Sequence, residues 1–367
     1  MNFTINREKL LPSLGQVIGA VERRQTLPIL ANVLMKYGNG ILTLTSTDLE
    51  VEMVASVESV SVDEDFHTTL PARKLFDICK ALPDSSDIKI EITDNNATLK
   101  SGRSRFTLAS LPAADFPGLD EIDEQQVFSI PQNKFKGLLD KTSFAMAQQD
   151  VRYYLNGILM EISPGSIKLV ATDGHRLALS EYQTDISISE SKQVIVPRKG
   201  VMELARLLDS SDAPARIVIS QNHIRIEAGN LVFTSKLIDG KFPDYNRVIP
   251  ADSNKILSVD RELLKNSMNR IAILSNEKYR GIRLSLAPGN LSIQANNPDQ
   301  EEAEEELVVD YDEAKMEIGF NVTYLIDVLT VLQSDKVNIK LKDANSSCII
   351  SDSEDLSSLY VVMPMRL

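Results

Sequence analysis

The chain repeats one pattern three times, and this repetition constrains its fold more than any other feature. The segments beginning at Phe3, Phe128 and Leu257 each run from a short strand into an amphipathic helix. Two further landmarks follow in the same order in every copy: a strand-turn-strand unit at 31–48, 156–173 and 281–297, and a strand-to-helix passage at 70–82, 196–208 and 319–332. Alternating apolar residues around Gly, Asn or Pro turns predict hairpins. Landmarks that recur in order indicate tandem structural repeats.

Each copy closes with a second hairpin, and proline-containing segments at 115–119 and 241–245 suit linkers after the first two copies. We therefore predict an α+β fold of three domains, 1–125, 126–252 and 253–367, each with two helices and about eight short antiparallel strands. Identical units joined head to tail present the same face in the same sense, so an arc with helices on its concave side is one expectation. A linear array would have the same sequence signature.

Composition narrows the class of protein. A chain of 367 residues is too long for one core and fits two or three domains. It has no apolar run long enough to span a membrane, and MNFTINREKL carries charges where a secretory signal needs apolar residues. We therefore expect a cytoplasmic protein. Its two cysteines, Cys79 and Cys348, are far apart and lack CxxC spacing, which predicts buried reduced thiols.

Charge is unevenly distributed between the predicted elements. The net charge of -13 opposes nucleic-acid binding at long range. Acidic residues, however, concentrate in strands and loops such as 48–52, 301–306 and 351–355. The predicted helices instead carry basic residues, namely Arg7, Lys9, Arg73, Lys74, Lys80, Lys134, Lys136, Lys141, Arg198, Lys199, Arg206, Arg261, Lys265 and Arg270. Such segregation would allow the helices to face phosphates, although ordinary solvated helix faces would give the same pattern.

Two predicted loops add side chains suited to nucleic acid. One contains Arg24 and the other contains Gln149, Tyr153 and Tyr154. Arg, Gln and Tyr can hold phosphate and sugar groups or stack on an unpaired base. Adjacent tyrosines are, however, more often half-buried packing residues, so the loops alone leave both interpretations open.

An enzyme is the main alternative class. Asp173 and His175 could form an acid–base pair, and the acidic run could hold a metal ion. The three histidines lack metal-ligand spacing, and no GxSxG, Walker A or GxGxxG motif occurs. We therefore predict no catalytic residue, cofactor or metal. A repeat scaffold that binds only proteins is a second alternative, which the acidic net charge favours.

Many separate blocks of the sequence resemble one known family. They include TLPIL (26–30), PARK (71–74), GRSRF (102–106), QQDVRYYLNG (148–157), ATDGHRLA (171–178), VIVPRKG (194–200), ILSNEKYRG (273–281) and YVVMPMRL (360–367). In this order, they resemble the bacterial DNA polymerase III β subunit, the processivity sliding clamp, over essentially the whole chain.

The resemblance implies a non-catalytic homodimer. Two three-domain subunits would join head to tail into a ring whose helices line a hole for double-stranded DNA. A clamp loader would open the ring. The implied partners are the DNA polymerase III catalytic subunit, other DNA polymerases, and mismatch-repair and ligase proteins, all bound through short peptide motifs.

The resemblance also places three sites on this sequence. The implied partner-peptide cleft is Leu155, Thr172, Gly174, His175, Arg176, Leu177, Pro243, Arg247, Val248, Tyr324, Val361, Met363, Pro364, Met365 and Leu367. Methionines suit a groove that serves many peptides because they repack at little cost. The alternative for the last segment is a strand buried in the core. The implied DNA contacts are Arg24, Gln149, Tyr153 and Tyr154.

The implied dimer interface has two kinds of contact: apolar residues facing apolar residues, and basic residues facing acidic ones. Phe106 and Leu108 would face Ile273 and Leu274 of the other copy. Lys74, Arg103 and Arg105 would meet the acidic residues of the other copy, Glu301, Glu302, Glu304 and Glu305. Strand alternation supports this division, because Arg103 and Arg105 share one face while Phe106 and Leu108 share the other. Opposed charges would also fix the head-to-tail sense.

Overall fold

A computed structural model describes residues 2–21, 27–58, 64–93, 95–119, 122–186, 188 and 190–366. Its helices in this part of the chain are α1 (Arg7–Val17), α2 (Ala72–Ala81), α3 (Gln132–Thr142), α4 (Arg198–Leu207), α5 (Arg261–Ile271) and α6 (Val322–Val331). The strands of the first copy are β1 (Asn2–Asn6), β2 (Asn32–Gly38), β3 (Ile41–Thr47), β4 (Val51–Val57), β5 (Phe66–Pro71), β6 (Asp87–Ile92), β7 (Asn96–Ser101) and β8 (Ser104–Ala109).

The second and third copies repeat this order. The second has β9 (Gln126–Pro131), β10 (Gly157–Ser163), β11 (Ser166–Thr172), β12 (Arg176–Gln183), β13 (Lys192–Pro197), β14 (Pro214–Ile219), β15 (His223–Ala228) and β16 (Leu231–Lys236). The third has β17 (Lys255–Asp260), β18 (Gly281–Ala287), β19 (Asn290–Asn296), β20 (Glu302–Val308), β21 (Met316–Asn321), β22 (Lys336–Leu341), β23 (Cys348–Asp352) and β24 (Ser358–Val362). The predicted α+β fold of three tandem copies is confirmed.

Each copy is itself built from two similar halves. A half runs strand, helix and three strands, as in β1–α1–β2–β3–β4 and then β5–α2–β6–β7–β8. The buried residues of the first helix keep the same spacing in copies one and three: Leu10, Ser13, Leu14 and Val17 in α1, and Leu264, Ser267, Met268 and Ile271 in α5. Residues at i, i+3, i+4 and i+7 form one helical face, so each helix buries a single stripe.

The strands form four antiparallel sheets that fall into two compact units. The first unit is Met1–Phe135 with Met202–Leu237, and it holds the sheets β1-β6-β7-β8 and β5-β2-β3-β4-β16-β15-β14-β9. The second unit is Lys136–Val201 with Ile238–Leu367, and it holds β20-β19-β18-β21 and β13-β10-β11-β12-β24-β23-β22-β17. Each eight-stranded sheet joins strands of two copies, through β4 and β16 or through β12 and β24. For this reason the compact units do not follow the sequence copies.

Both cysteines are buried and free, as predicted. Burial raises the pKa of the Cys79 and Cys348 thiols to about 12, so both stay protonated at neutral pH. In the part of the chain that the structure describes, no helix is long and apolar enough to cross a membrane. The same residues contain no group of three or more His, Cys, Asp or Glu side chains placed to hold a metal ion.

Candidate functional site

A cavity of about 240 Å³ lies within the second unit, where β12 and β24 pair. Most of the predicted cleft residues line it: Leu155, Thr172, Gly174, Arg176, Leu177, Pro243, Val248, Val361 and Met363. Arg152, Asp244 and Tyr245 also line it, and the sequence did not single them out for this site. The structure thus gathers side chains from segments that are far apart in the chain into one groove.

The floor of the groove is apolar because the two central strands present it with aligned residues. Leu177 of β12 pairs with Val361 of β24, so both side chains point to the same face of the sheet. They belong to a buried cluster with Leu155, Phe242 and Tyr245. The final strand is therefore both a core strand and a wall of the groove, which reconciles the two interpretations of the C-terminal segment.

One end of the groove is a tight turn made by the TDGH segment. Backbone N–H groups of His175 and Arg176 donate to Asp173 Oδ1 at 2.9 and 3.0 Å, and the Gly174 N–H donates to Thr172 Oγ1 at 3.1 Å. Gly174 has φ +89°, in the left-handed region that favours glycine. A Cβ at this position would lie 2.9 Å from Arg152 Nη2, so a larger residue would strain the backbone and displace the Arg152 guanidinium.

Arg176 is the best-anchored polar group of the groove. Its guanidinium donates to Asp173 Oδ2 at 3.1 Å, to Asp327 Oδ2 at 2.5 Å and to the Phe144 carbonyl at 2.8 Å. It also lies over the Tyr324 ring, 4.6 Å from the centroid. Since a guanidinium held this way cannot rotate freely, Arg176 forms a rigid polar edge. Burial, followed by the charge of Asp173, raises the pKa of the Tyr324 hydroxyl.

The Asp173–His175 pair does not have the geometry of an acid–base catalyst. Both carboxylate oxygens of Asp173 accept hydrogen bonds within the turn, from the backbone and from Arg176. The exposed His175 ring lies against Tyr324, with 6.4 Å between centroids. These residues shape the turn instead.

The remaining predicted cleft residues are not among those that line this cavity. Arg247 is exposed and pairs with Asp244 at 3.0 Å, while Pro364 is half-buried. Met365 lines a second cavity, of about 450 Å³, together with Tyr279 and Arg366, and its N–H donates to the Gly319 carbonyl at 2.8 Å. Leu367 lies outside the described residues.

The predicted DNA-contacting loop of the second unit is partly exposed. Gln149 is exposed in a left-handed conformation with φ +56°, and Tyr153 is 57% exposed. Tyr154 instead packs against the apolar cluster below the groove. The packing interpretation therefore fits Tyr154, and Tyr153 keeps a free aromatic face. Arg152 holds the pKa of Asp150 at about 2 through hydrogen bonds. Arg24 lies outside the described residues.

Several basic helix residues bond to backbone carbonyl groups of the same chain. Arg7 donates to the Cys79 carbonyl at 2.7 Å, and Arg261 donates to the Ser334 carbonyl at 3.0 Å. Arg206 donates to the carbonyls of Gly15 and Gln16 at 3.0 and 2.9 Å. Arg7 and Arg261 therefore cap the ends of neighbouring helices. Their side chains are only 13% and 17% exposed, so they offer little surface to phosphates, whereas Lys74, Lys80 and Lys134 are exposed.

Three predicted interface residues of the first unit, Arg105, Phe106 and Leu108, lie on β8, the edge strand of a four-stranded sheet. Arg103 lies in the turn before β8, and Lys74 lies on α2. Among the residues that the structure describes, strand β8 pairs only with β7, so its other edge is open there. Arg103, Arg105 and Lys74 are exposed and Phe106 is half-buried. Leu108 is only 7% exposed, since it packs within its own sheet, and it offers little surface to a partner.

The second unit carries a matching sheet edge, β20, with the acidic run along it. Three of these acids have partners in the same chain. Asn297 donates to Glu301 at 2.7 Å. Arg270 donates to Glu305 at 3.0 Å, and Gln294 donates to Glu304 at 2.7 Å. The last two hydrogen bonds lower the pKa of the Glu305 and Glu304 carboxyls. Ile273 is 75% exposed. Val308, at the end of β20, is 87% exposed. The sequence pattern of this acidic strand did not predict an exposed apolar residue there.

The fold and the groove together define a class: a three-copy α+β chain with an apolar groove and no acid–base pair in it. Domain models of the DNA polymerase III beta subunit match residues 1–120 (N-terminal domain), 129–244 (central domain) and 246–366 (C-terminal domain). The chain belongs to the DNA polymerase III beta subunit family, which confirms the resemblance drawn from its sequence.

Individual relatives match over their whole length. The beta sliding clamp of Pseudomonas aeruginosa is 54% identical over 367 residues, and that of Escherichia coli (strain K12) is 52% identical, each with 100% of both chains covered. A crystal structure of the Pseudomonas aeruginosa sliding clamp bound to griselimycin is similar with a TM-score of 0.97 at 54% identity, covering 100% of both chains.

Proposed function

We propose that the chain is a sliding clamp that encircles double-stranded DNA and confers processivity on the replicative polymerase. Two copies would join head to tail into a ring, each contributing the three domains 1–125, 126–252 and 253–367. The protein has no catalytic role of its own, and it acts in the cytoplasm. The observation that carries this proposal is the match of all three tandem domains, over the full chain, to sliding clamps.

The physics of sliding fits the exposed basic residues. A ring that moves along DNA needs phosphate contacts through water and no base-specific hydrogen bonds, because specific contacts would hold it at one sequence. Exposed lysines such as Lys80 and Lys134 would supply such contacts. The link to DNA is topological, so residence time does not depend on high affinity.

The groove would hold the partners. An apolar floor at Leu177 and Val361, flexible methionine at Met363 and the fixed guanidinium of Arg176 suit a short peptide with apolar anchors. Through this groove the clamp would tether the DNA polymerase III catalytic subunit, other DNA polymerases, and mismatch-repair and ligase proteins. A clamp loader would open and close the ring.

Retention on DNA tests the ring. The protein is loaded onto a nicked circular plasmid by a clamp loader with ATP, separated by gel filtration, and the plasmid is then cut at a single site. We expect the protein to remain with the circular plasmid and to leave the linear one, because a ring slides off free ends. Equal retention on both forms would mean that the protein binds DNA without encircling it.

A further inference from the structure

One wall of the peptide groove is a short segment of chain between β16 and β17. Pro243, Asp244, Tyr245 and Val248 of this segment all line the groove, and Tyr245–Val248 form a short 3-10 helix. Phe242 and Tyr245 also pack in the buried cluster beneath it. Because a connecting segment is not fixed by strand pairing, the position of this wall depends on the contacts that its side chains make with the sheet.

A carboxylate of β10 ties this wall segment to the sheet. The Tyr245 hydroxyl donates to Glu161 Oε2 at 2.6 Å, and Tyr245 is only 7% exposed. The other carboxylate oxygen of Glu161 accepts a hydrogen bond from the side chain of Gln193 on the neighbouring strand β13. Burial, followed by the hydrogen bond to Glu161, raises the pKa of the Tyr245 hydroxyl, so it remains a donor at neutral pH. Loss of the acceptor would leave a buried hydroxyl without a partner, which costs its desolvation energy.

The first unit ties the corresponding segment to its sheet at a different place. Leu119 and Tyr245 correspond, because each is the second residue after a Phe-Pro pair. The Leu119 N–H donates to Glu52 Oε2 at 3.3 Å. Glu52 lies where β4 pairs with β16, the position that Leu177 occupies where β12 pairs with β24. In the first unit the carboxylate thus takes the place of the groove floor, whereas Glu161 does not line the groove and the floor stays apolar.

This difference gives Glu161 a role in peptide binding. Resting on the peptide-binding function proposed above, we propose that Glu161 is a positioning residue: its hydrogen bond to Tyr245 holds the wall segment against β10 and keeps the groove over Leu177 open before a peptide arrives. Glu161 acts through Tyr245 and does not contact the peptide itself. A wall that is already in place binds more tightly than one that the peptide must order, because ordering consumes part of the binding free energy.

A double-mutant cycle on the full chain tests this proposal. The probe is a fluorescein-labelled peptide from the clamp-binding segment of the DNA polymerase III catalytic subunit, and its affinity is measured by fluorescence anisotropy. Glu161→Leu removes the acceptor and Tyr245→Phe removes the donor, so each should weaken binding about fivefold to tenfold. The double variant should bind no more weakly than the single ones, because all three lack the same hydrogen bond. Glu161→Gln keeps an acceptor oxygen and should bind within about twofold of the parent.

Glu181→Leu is the matched control, with circular dichroism to check that every variant is folded. Glu181 lies on the same face of the sheet as Glu161 and pairs with Lys168 at 3.8 Å, so its loss should leave peptide affinity unchanged. Unchanged affinity in Glu161→Leu, additive losses in the double variant, a Glu161→Gln variant as weak as Glu161→Leu, or an equal loss in Glu181→Leu would overturn the role of Glu161 while peptide binding by the parent persists. A parent that does not bind the peptide would refute the proposed function as well.

Discussion

At the scale of single residues, the groove depends on a few groups that have little freedom. Arg176 is only 11% exposed at its side chain and is bonded on several sides. The turn before it is held by Asp173 and requires Gly174. Apolar residues supply the area that a peptide would bury, while these polar groups fix its position.

Substitution of Gly174 tests whether the polar groups of the turn fix the position of a bound peptide. Gly174 and Gly165 both have φ +89°, but a Cβ at Gly165 would meet no atom within 4 Å. Each Gly→Ala change should lower the unfolding temperature by about 2–4 °C, since alanine is strained by about 1 kcal/mol or more at positive φ. Only Gly174→Ala also displaces Arg152, so only this variant should lose affinity for a polymerase-derived peptide, by about threefold to tenfold.

Thermal unfolding monitored by circular dichroism and peptide binding monitored by fluorescence anisotropy check this prediction. If Gly165→Ala reduces peptide affinity as much as Gly174→Ala does, the effect comes from general destabilisation and the turn has no specific role.

At the scale of the helices, equivalent positions in the copies perform one structural task. The first residue of α1 and of α5 is an arginine that bonds to the end of the paired helix. The first residue of α3 is Gln132, whose Oε1 accepts the Asp209 N–H at 3.2 Å. In every copy, this position therefore bonds the start of the first helix to the chain at or just beyond the end of the second helix.

Periodic apolar patterns predicted the fold, but they did not predict which contacts particular polar residues make. The strand and helix of each copy were visible because Leu75, Cys79 and Leu82 lie on one helical face and are buried. Sequence could not separate Arg7 from Lys134, because both occupy polar helix positions and only the tertiary fold brings a carbonyl to Arg7. Leu108 shows the same limit: alternation predicts which face of the strand it lies on, but not that its side chain is only 7% exposed.

Substitution of Arg7 by Gln, the residue of the second copy, tests the capping role. Arg7→Gln shortens the side chain and should break its bond to the Cys79 carbonyl, lowering the unfolding temperature by about 2–5 °C. Lys134→Gln removes an exposed charge and should leave the unfolding temperature unchanged. Conversely, only Lys134→Gln should weaken binding to duplex DNA at low salt. In a plot of the logarithm of the binding constant against the logarithm of the salt concentration, its slope should become less steep by about one unit. If both variants lost DNA binding equally, Arg7 would also contact DNA, and the proposed division of roles would be wrong.

At the scale of the whole molecule, each of the two units exposes the edge of a four-stranded sheet. The edge strand β8 carries Arg105, and the edge strand β20 carries glutamates. Open edges expose unpaired backbone groups, and a protein that leaves them open needs either a partner or protection by charge. Opposite charges on the two edges favour pairing of unlike edges over pairing of like ones, which is the head-to-tail arrangement of the proposed ring.

Ile273 belongs to the proposed interface and is 75% exposed, so its substitution should disrupt the ring. Ile273→Asp would place a carboxylate against the partner's apolar surface, and we expect a monomer by light scattering at micromolar concentration, with loss of retention on circular plasmid. Peptide affinity should persist, because the groove is built from other residues of the unit. Leu356→Asp, a control in the same unit at a leucine 79% exposed, should leave the mass of the dimer unchanged. A dimer that survives Ile273→Asp, or that also dissociates with Leu356→Asp, would place the interface elsewhere.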